Sequence, residues 1–175
     1  MEINKEWAMP SKNTFSIKPI EYLVSTCFLT MGLTQPCFAV DPFVGNSPFK
    51  DRCLSNDLNP EITADEHKDA LVFLRTISPN VVDILLFDPP YSPRQVSECY
   101  KKMKRTVNMQ TTQSIFWSNL KKEVTRIVRP GGMVITCGWN SGGIGKKYRF
   151  KQTEILLVSH GSWHNDTIVS IEEKT

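Results

Sequence analysis

The sequence has little of what would mark a metal, disulfide or membrane protein. Only three of its 175 residues are histidine, and five are cysteine. The cysteines (Cys27, Cys37, Cys53, Cys99 and Cys137) include no Cys-x-x-Cys pair. Their odd number argues against a disulfide framework, so buried reduced thiols are expected. His160 and His164 have no cysteine or acidic partner at metal-ligand spacing, so no metal site is expected. They read as turn residues. No apolar stretch is long enough to span a membrane. Residues 1–7 are too polar for a secretory signal. Together these absences lead us to expect a cytoplasmic location. Internal repeats, low-complexity tracts and linkers are also missing, and one domain over residues 1–175 is expected.

What is present is ordinary in bulk and specific in detail. The chain is 40% hydrophobic and 22% charged, with a formal net charge of +3. That balance permits nucleic-acid binding without demanding it. Residues 1–14 read as irregular. A helix follows from Lys18-Pro19, with Ile20, Leu23, Val24, Cys27 and Phe28 on one face and Gly32 as its stop. Strands are expected over 37–41, 54–57, 81–87 and 133–137. Helices are expected over 69–77, 93–103 and 113–128. The last of these carries Phe116, Leu120, Val124, Ile127 and Val128 at helical spacing. Arg129-Pro130-Gly131-Gly132 stops it. Strands over 154–158 and 166–171 close the chain as an antiparallel hairpin. Strands alternating with helices imply an α/β fold: a mostly parallel sheet between two helical layers.

The apolar run 81–87 ends in Asp88-Pro89-Pro90-Tyr91. Two prolines lack N–H donors and fix φ, so the chain leaves the sheet stiffly. Open α/β sheets bind ligands at this carboxyl edge. The segment offers a carboxylate, prolyl carbonyls and an aromatic face, which suits a planar base bearing an amine. The first strand ends similarly, in Asp41-Pro42-Phe43-Val44-Gly45-Asn46-Ser47. Glycine there lets backbone N–H groups come close to a ligand. Asp57, with Leu58 and Asn59 after it, ends the second strand, where an acid can accept from ribose hydroxyls. Asn59 is an alternative for that role. Asp69, followed by Ala70, opens a helix that it can cap.

These motifs resemble the amino-methyltransferases, which carry (D/N/S)PP(Y/F) and methylate exocyclic nitrogens with S-adenosyl-L-methionine. Asp41 to Gly45 resembles their DPFxGxG cofactor loop, with Ser47 in place of the second glycine. Residues 13–20 resemble their HPTQKP element, which implies cofactor contacts from Thr14, Phe15, Ser16 and Lys18. The family also sets an acid like Asp69 near the adenine, an alternative to its capping role. The elements run in linear order over residues 13–174. The resemblance implies a three-layer Rossmann-like methyltransferase fold with a seven-stranded sheet and a C-terminal antiparallel hairpin. It implies methylation of adenine N6 in DNA, with Asp88, Pro89, Pro90 and Tyr91 as the catalytic group. Cytosine N4, guanine N2 of ribosomal RNA and a non-catalytic cofactor-binding or scaffold subunit are the alternatives. There is no room for the separate target-recognition domain of many DNA methyltransferases. Relaxed specificity, a homodimer or a separate recognition subunit is therefore expected. Lys101 to Arg105 and the segment 142–147 are candidate phosphate contacts, or solvated faces. Trp139 is a candidate wall of the base pocket, or a core residue.

Overall fold

In the computed structural model, which describes residues 1–32, 36–103, 114–161 and 164–175, the strand before the Asp-Pro-Pro-Tyr turn lies inside a seven-stranded sheet. The strands are β1 (Glu2–Trp7), β2 (Ala39–Asp41), β3 (Leu54–Ser55), β4 (Val82–Phe87), β5 (Val128–Gly138), β6 (Phe150–Ser159) and β7 (Thr167–Lys174). Their order is β1-β6-β7-β5-β4-β2-β3. All neighbours run parallel except β7, which is antiparallel to both β5 and β6. The helices are α1 (Lys18–Gly32), α2 (Ala70–Thr76), α3 (Pro93–Lys102) and α4 (Ser114–Ile127).

Every residue of β4 is buried, as its unbroken apolar run requires of a strand covered on both faces. Ile84 and Leu86 pack with Ile20, Val24 and Phe28 of α1. Leu85 and Phe87 pack on the other face with Phe73 and Leu74 of α2, Val96 of α3 and Leu120 and Val124 of α4. The period-2 strand thus feeds two cores, one on each side of the sheet. Helical spacing located the inward faces well, although Leu71 is only half-buried while Phe73 is enclosed. No helix among the described residues is long and apolar enough to cross a membrane.

Three expectations need correction. Residues 2–7 are not irregular but form β1, paired in parallel with β6. β1 is an exposed edge strand with no buried alternation, so nothing in its own pattern announces it. The second correction concerns β5, which begins at Val128 rather than Met133. Val82 pairs with Val128 and Ile84 with Met133, so the Arg-Pro-Gly-Gly segment bulges out of an otherwise continuous strand. Finally, β6 and β7 are longer than expected, reaching Phe150 and Lys174. Lys174 is buried, and its ammonium donates to the Thr125 and Val128 carbonyls at 2.6 and 2.7 Å, capping α4. Gln113, Lys104, Arg105 and Trp163 lie outside the described residues.

Candidate active site

β2 and β4 are direct parallel neighbours, and each delivers an aspartate followed by proline at its carboxyl end. The two ends open on a cleft of about 570 Å³. Asp88 lines it. Its carboxylate accepts from the Tyr91 hydroxyl, and the Thr14 hydroxyl beside it also favours the ionised form. Burial pushes the Asp88 carboxyl above its ordinary range, and the two hydroxyl donors partly offset that. Burial, with the Asp88 charge beside it, pushes the Tyr91 phenol up, so Tyr91 donates as a neutral hydroxyl. The Tyr91 ring meets Trp139 edge-on, with centroids 5.5 Å apart. Trp139 is 44% exposed, so it flanks the turn rather than filling the core.

Flanking helices hold the turn. The Tyr91 backbone N–H donates to Gln95 Oε1 at 2.6 Å. Trp117 Nε1 donates to the Pro90 carbonyl at 3.0 Å. Sequence reasoning missed both partners. Ser92-Pro93-Arg94-Gln95 does match a capping box, and Ser92 caps α3 by accepting from the Gln95 N–H at 3.3 Å. That signal points to a Gln95 side chain reaching back toward the turn. Nothing in the sequence signals Trp117, which lies one position off the buried stripe of α4.

The Asp41 loop is organised differently. Asp41 is fully buried, and its Oδ1 accepts from the Phe43 N–H at 3.0 Å. Its Oδ2 has no hydrogen-bond partner among the described residues. Burial pushes the Asp41 carboxyl up to about 8, opposed by the Phe43 amide and reinforced by the charges of Asp88 and Asp57. Gly45 takes a left-handed φ of 49°, which glycine adopts without strain. Its N–H donates to Asp57 Oδ2 at 3.0 Å, while the Asn59 N–H donates to Asp57 Oδ1 at 2.8 Å. Ser47 is buried and accepts from the Phe49 N–H at 3.2 Å, so it serves the fold of the loop.

The cleft brings together most of the residues singled out from the sequence. Asp88, Pro89, Pro90 and Tyr91 line one side with Thr14. Pro42, Phe43, Asp57, Leu58 and Asn59 line the other, with Asp69 and Ala70 beside them. Asp69 caps α2 by accepting from the Leu71 N–H at 3.0 Å, and its second oxygen accepts from the Tyr100 hydroxyl. It therefore holds its capping role and a place at the cleft together. Asp41 and Gly45 are not among the lining residues. Phe15 is a core residue, set edge-on to Phe49. Ser16 donates to the Asn13 carbonyl at 2.7 Å. The Lys18 side chain is 88% exposed and pairs with Glu21 at 3.3 Å. Ser16 and Lys18 line a separate groove beside β1. Among the described residues no cluster of His, Cys, Asp or Glu could hold a metal. His160 bonds the Ala8 carbonyl and the Thr167 hydroxyl, so it ties the strand edge together.

Neither a family model nor a curated protein matches the sequence. Solved structures match its fold. One is the 1,6-didemethyltoxoflavin-N1-methyltransferase of Burkholderia thailandensis, with bound 1,6-didemethyltoxoflavin and S-adenosylhomocysteine. It superposes with a TM-score of 0.58 at 11% identity, covering 86% of this chain and 76% of that one. TrmN from Thermus thermophilus gives 0.56 at 14% identity over 87% of this chain. This chain spans 48% of the TrmN chain, about half its length. The Streptococcus mutans protein SMU.1697c, in complex with SAH, gives 0.54 at 13% identity over 88% of this chain and 97% of that one. The shared architecture is the three-layer Rossmann-like methyltransferase fold, including the antiparallel β6–β7 hairpin.

Proposed function

We propose that this protein is a methyltransferase that uses S-adenosyl-L-methionine and methylates an exocyclic amino group of a nucleic-acid base, adenine N6 in DNA. The observation that carries this reading is Asp88. It is a carboxylate at the carboxyl edge of β4, set in an aromatic cleft, in a fold shared with methyltransferases.

The cleft residues fit an adenosyl cofactor. Asp57 has acceptor capacity beyond the amides of Gly45 and Asn59, and it lies just past β3, where ribose hydroxyls can donate. Phe43, Leu58 and Ala70 offer apolar contact for an adenine ring.

When bound, the cofactor supplies a methyl group on a positively charged sulfur, open to direct transfer. The protein's own task is to prepare the acceptor. The lone pair of an exocyclic amine is delocalised into its ring, so the nitrogen is a poor nucleophile. Asp88, accepting from the amine, favours a pyramidal nitrogen and stabilises the positive charge that develops there. Tyr91 and Trp139 present aromatic surface that offsets the cost of unstacking a base. Exposed Lys102 at the cleft, with Lys146 and Lys147, supplies phosphate contacts, which give affinity without sequence information. We therefore propose DNA as the partner, with short or relaxed site preference unless a second subunit or a second copy reads the sequence.

The test is transfer of a labelled methyl group to DNA and to RNA, followed by digestion to nucleosides. N6-methyl-2′-deoxyadenosine from DNA is the expected product. Label in N4-methylcytosine, or in N2-methylguanosine from RNA, would move the substrate. Label in neither nucleic acid would overturn the reading in favour of a scaffold subunit.

A further inference from the structure

We infer that Trp117 and Gln95 are positioning residues that clamp the Asp88–Tyr91 turn so that the Pro89 carbonyl is left as the prolyl acceptor beside Asp88. The inference rests on the methyl-transfer reading above and names the residues that set its acceptor geometry.

The turn has few backbone groups to arrange. Its two prolines donate nothing, so Tyr91 carries the first N–H after Asp88. That N–H is held by Gln95 Oε1 at 2.6 Å. Of the two prolyl carbonyls, Pro90's is held by Trp117 Nε1 at 3.0 Å. Pro89's accepts no hydrogen bond from the described residues, and Pro89 lines the cleft. The Asp88 side chain is held by the Tyr91 hydroxyl. A primary amine has two N–H groups, and the clamped turn presents it with a carboxylate and one adjacent carbonyl. Without the Trp117 indole N–H, the Pro90 carbonyl would become a second, misplaced acceptor for the same amine.

The clamps come from two different helices. Gln95 sits in the first turn of α3, which Ser92 caps. Trp117 sits in the first turn of α4, half-buried, with Phe116 edge-on to it at 5.2 Å. Phe116 is the buried core residue of that pair, and the indole N–H of Trp117 is turned to the Pro-Pro segment instead. The acceptor geometry is thus tied to elements that reach the cleft from separate parts of the chain.

The experiment uses the full chain as parent, Trp117→Phe, Gln95→Leu and Gln95→Glu. The phenylalanine keeps an aromatic ring, smaller than the indole, and removes the indole N–H, while the glutamate keeps an acceptor oxygen. Methyl transfer gives kcat and the KM for nucleic acid, and calorimetry gives S-adenosylhomocysteine binding. Trp117→Phe and Gln95→Leu are expected to lower kcat by about ten- to hundredfold. Cofactor affinity and the melting midpoint should stay close to the parent's, and Gln95→Glu should keep more activity than Gln95→Leu. Parental kcat in Trp117→Phe would overturn the clamp, as would a kcat loss matched by an equal loss of cofactor affinity and stability. A parent that transfers no methyl group would overturn the methyl-transfer reading and the clamp with it. An active parent with an unaffected Trp117→Phe overturns the clamp alone.

Discussion

Asp41 and Asp88 end neighbouring strands and precede prolines, yet the protein treats them in opposite ways. Asp88 faces a cleft, accepts from the Tyr91 hydroxyl and has the Thr14 hydroxyl, from a separate element, beside it. Asp41 is sealed off, with one oxygen on its own loop amide and the other without a partner among the described residues. Burial raises both carboxyls, but only Asp88 is supplied with side-chain donors that favour its ionised form. The contrast separates two jobs at one sheet edge. On the proposed reading Asp88 is the acceptor for a ligand amine, while Asp41 shapes the loop that carries Phe43 and Gly45.

The sharpest way to break this contrast is to delete each carboxylate in turn. Asp88→Ala is expected to lower kcat by about a hundredfold or more, the scale of losing one oriented electrostatic partner. Its cofactor binding should stay within a few-fold of the parent. Asp41→Ala should instead weaken cofactor binding and stability together. If both variants lost the same property, the division of labour would collapse.

A smaller effect is expected from pH. Burial pushes the folded-state pKa of Asp41 up to about 8, well above the ordinary carboxylate range. The folded chain therefore keeps a proton that the unfolded chain releases. This contribution to stability is complete below the unfolded pKa and is lost as pH rises through about 8. Denaturant titrations at mildly acidic and mildly alkaline pH should show the parent losing stability across that window. Asp41→Asn should lose less. Equal losses would mean that Asp41 is ionised throughout.

Tyr91→Phe probes the other carboxylate. Removing the hydroxyl removes a donor that favours the Asp88 carboxylate, so the Asp88 pKa should rise further. The acid limb of kcat/KM should move to higher pH, with a modest loss at the optimum. Tyr91→Ala should lose more, because the aromatic surface beside Trp139 goes too. An unmoved acid limb in Tyr91→Phe would show that the hydroxyl does not tune Asp88.

Gly45→Val should have the mildest effect. A Cβ at Gly45 meets no heavy atom within 4 Å, so crowding within the protein is not the obstacle. The left-handed φ of 49° is, at a conformational cost of roughly 1–2 kcal/mol for a residue with a side chain. Thermal unfolding should register that loss, and a variant as stable as the parent would contradict it.

How much of this was legible depended on whether the signal was local. β4 and its turn could be read directly, because an unbroken apolar run and two prolines need no distant partner to define them. The inner face of α4 followed from the spacing of Phe116, Leu120, Val124 and Ile127, all of which are buried. β1 could not be read, because the strand it pairs with, β6, lies some 150 positions away, and nearly all its residues are exposed. Lys18 illustrates the limit of motif matching. The Lys-Pro helix start is real, but the lysine side chain turns to solvent and to Glu21, while Thr14 is the member of that element that reaches Asp88. The Trp117–Pro90 contact joins residues 27 apart across two elements, and only the folded chain reveals it.

The central claim is that the cleft at the ends of β2, β3 and β4 is a cofactor site, and calorimetric titration of the full chain with S-adenosylmethionine tests it most directly. The account predicts saturable binding that Asp88→Ala retains. No heat of binding by the parent at millimolar ligand would contradict it.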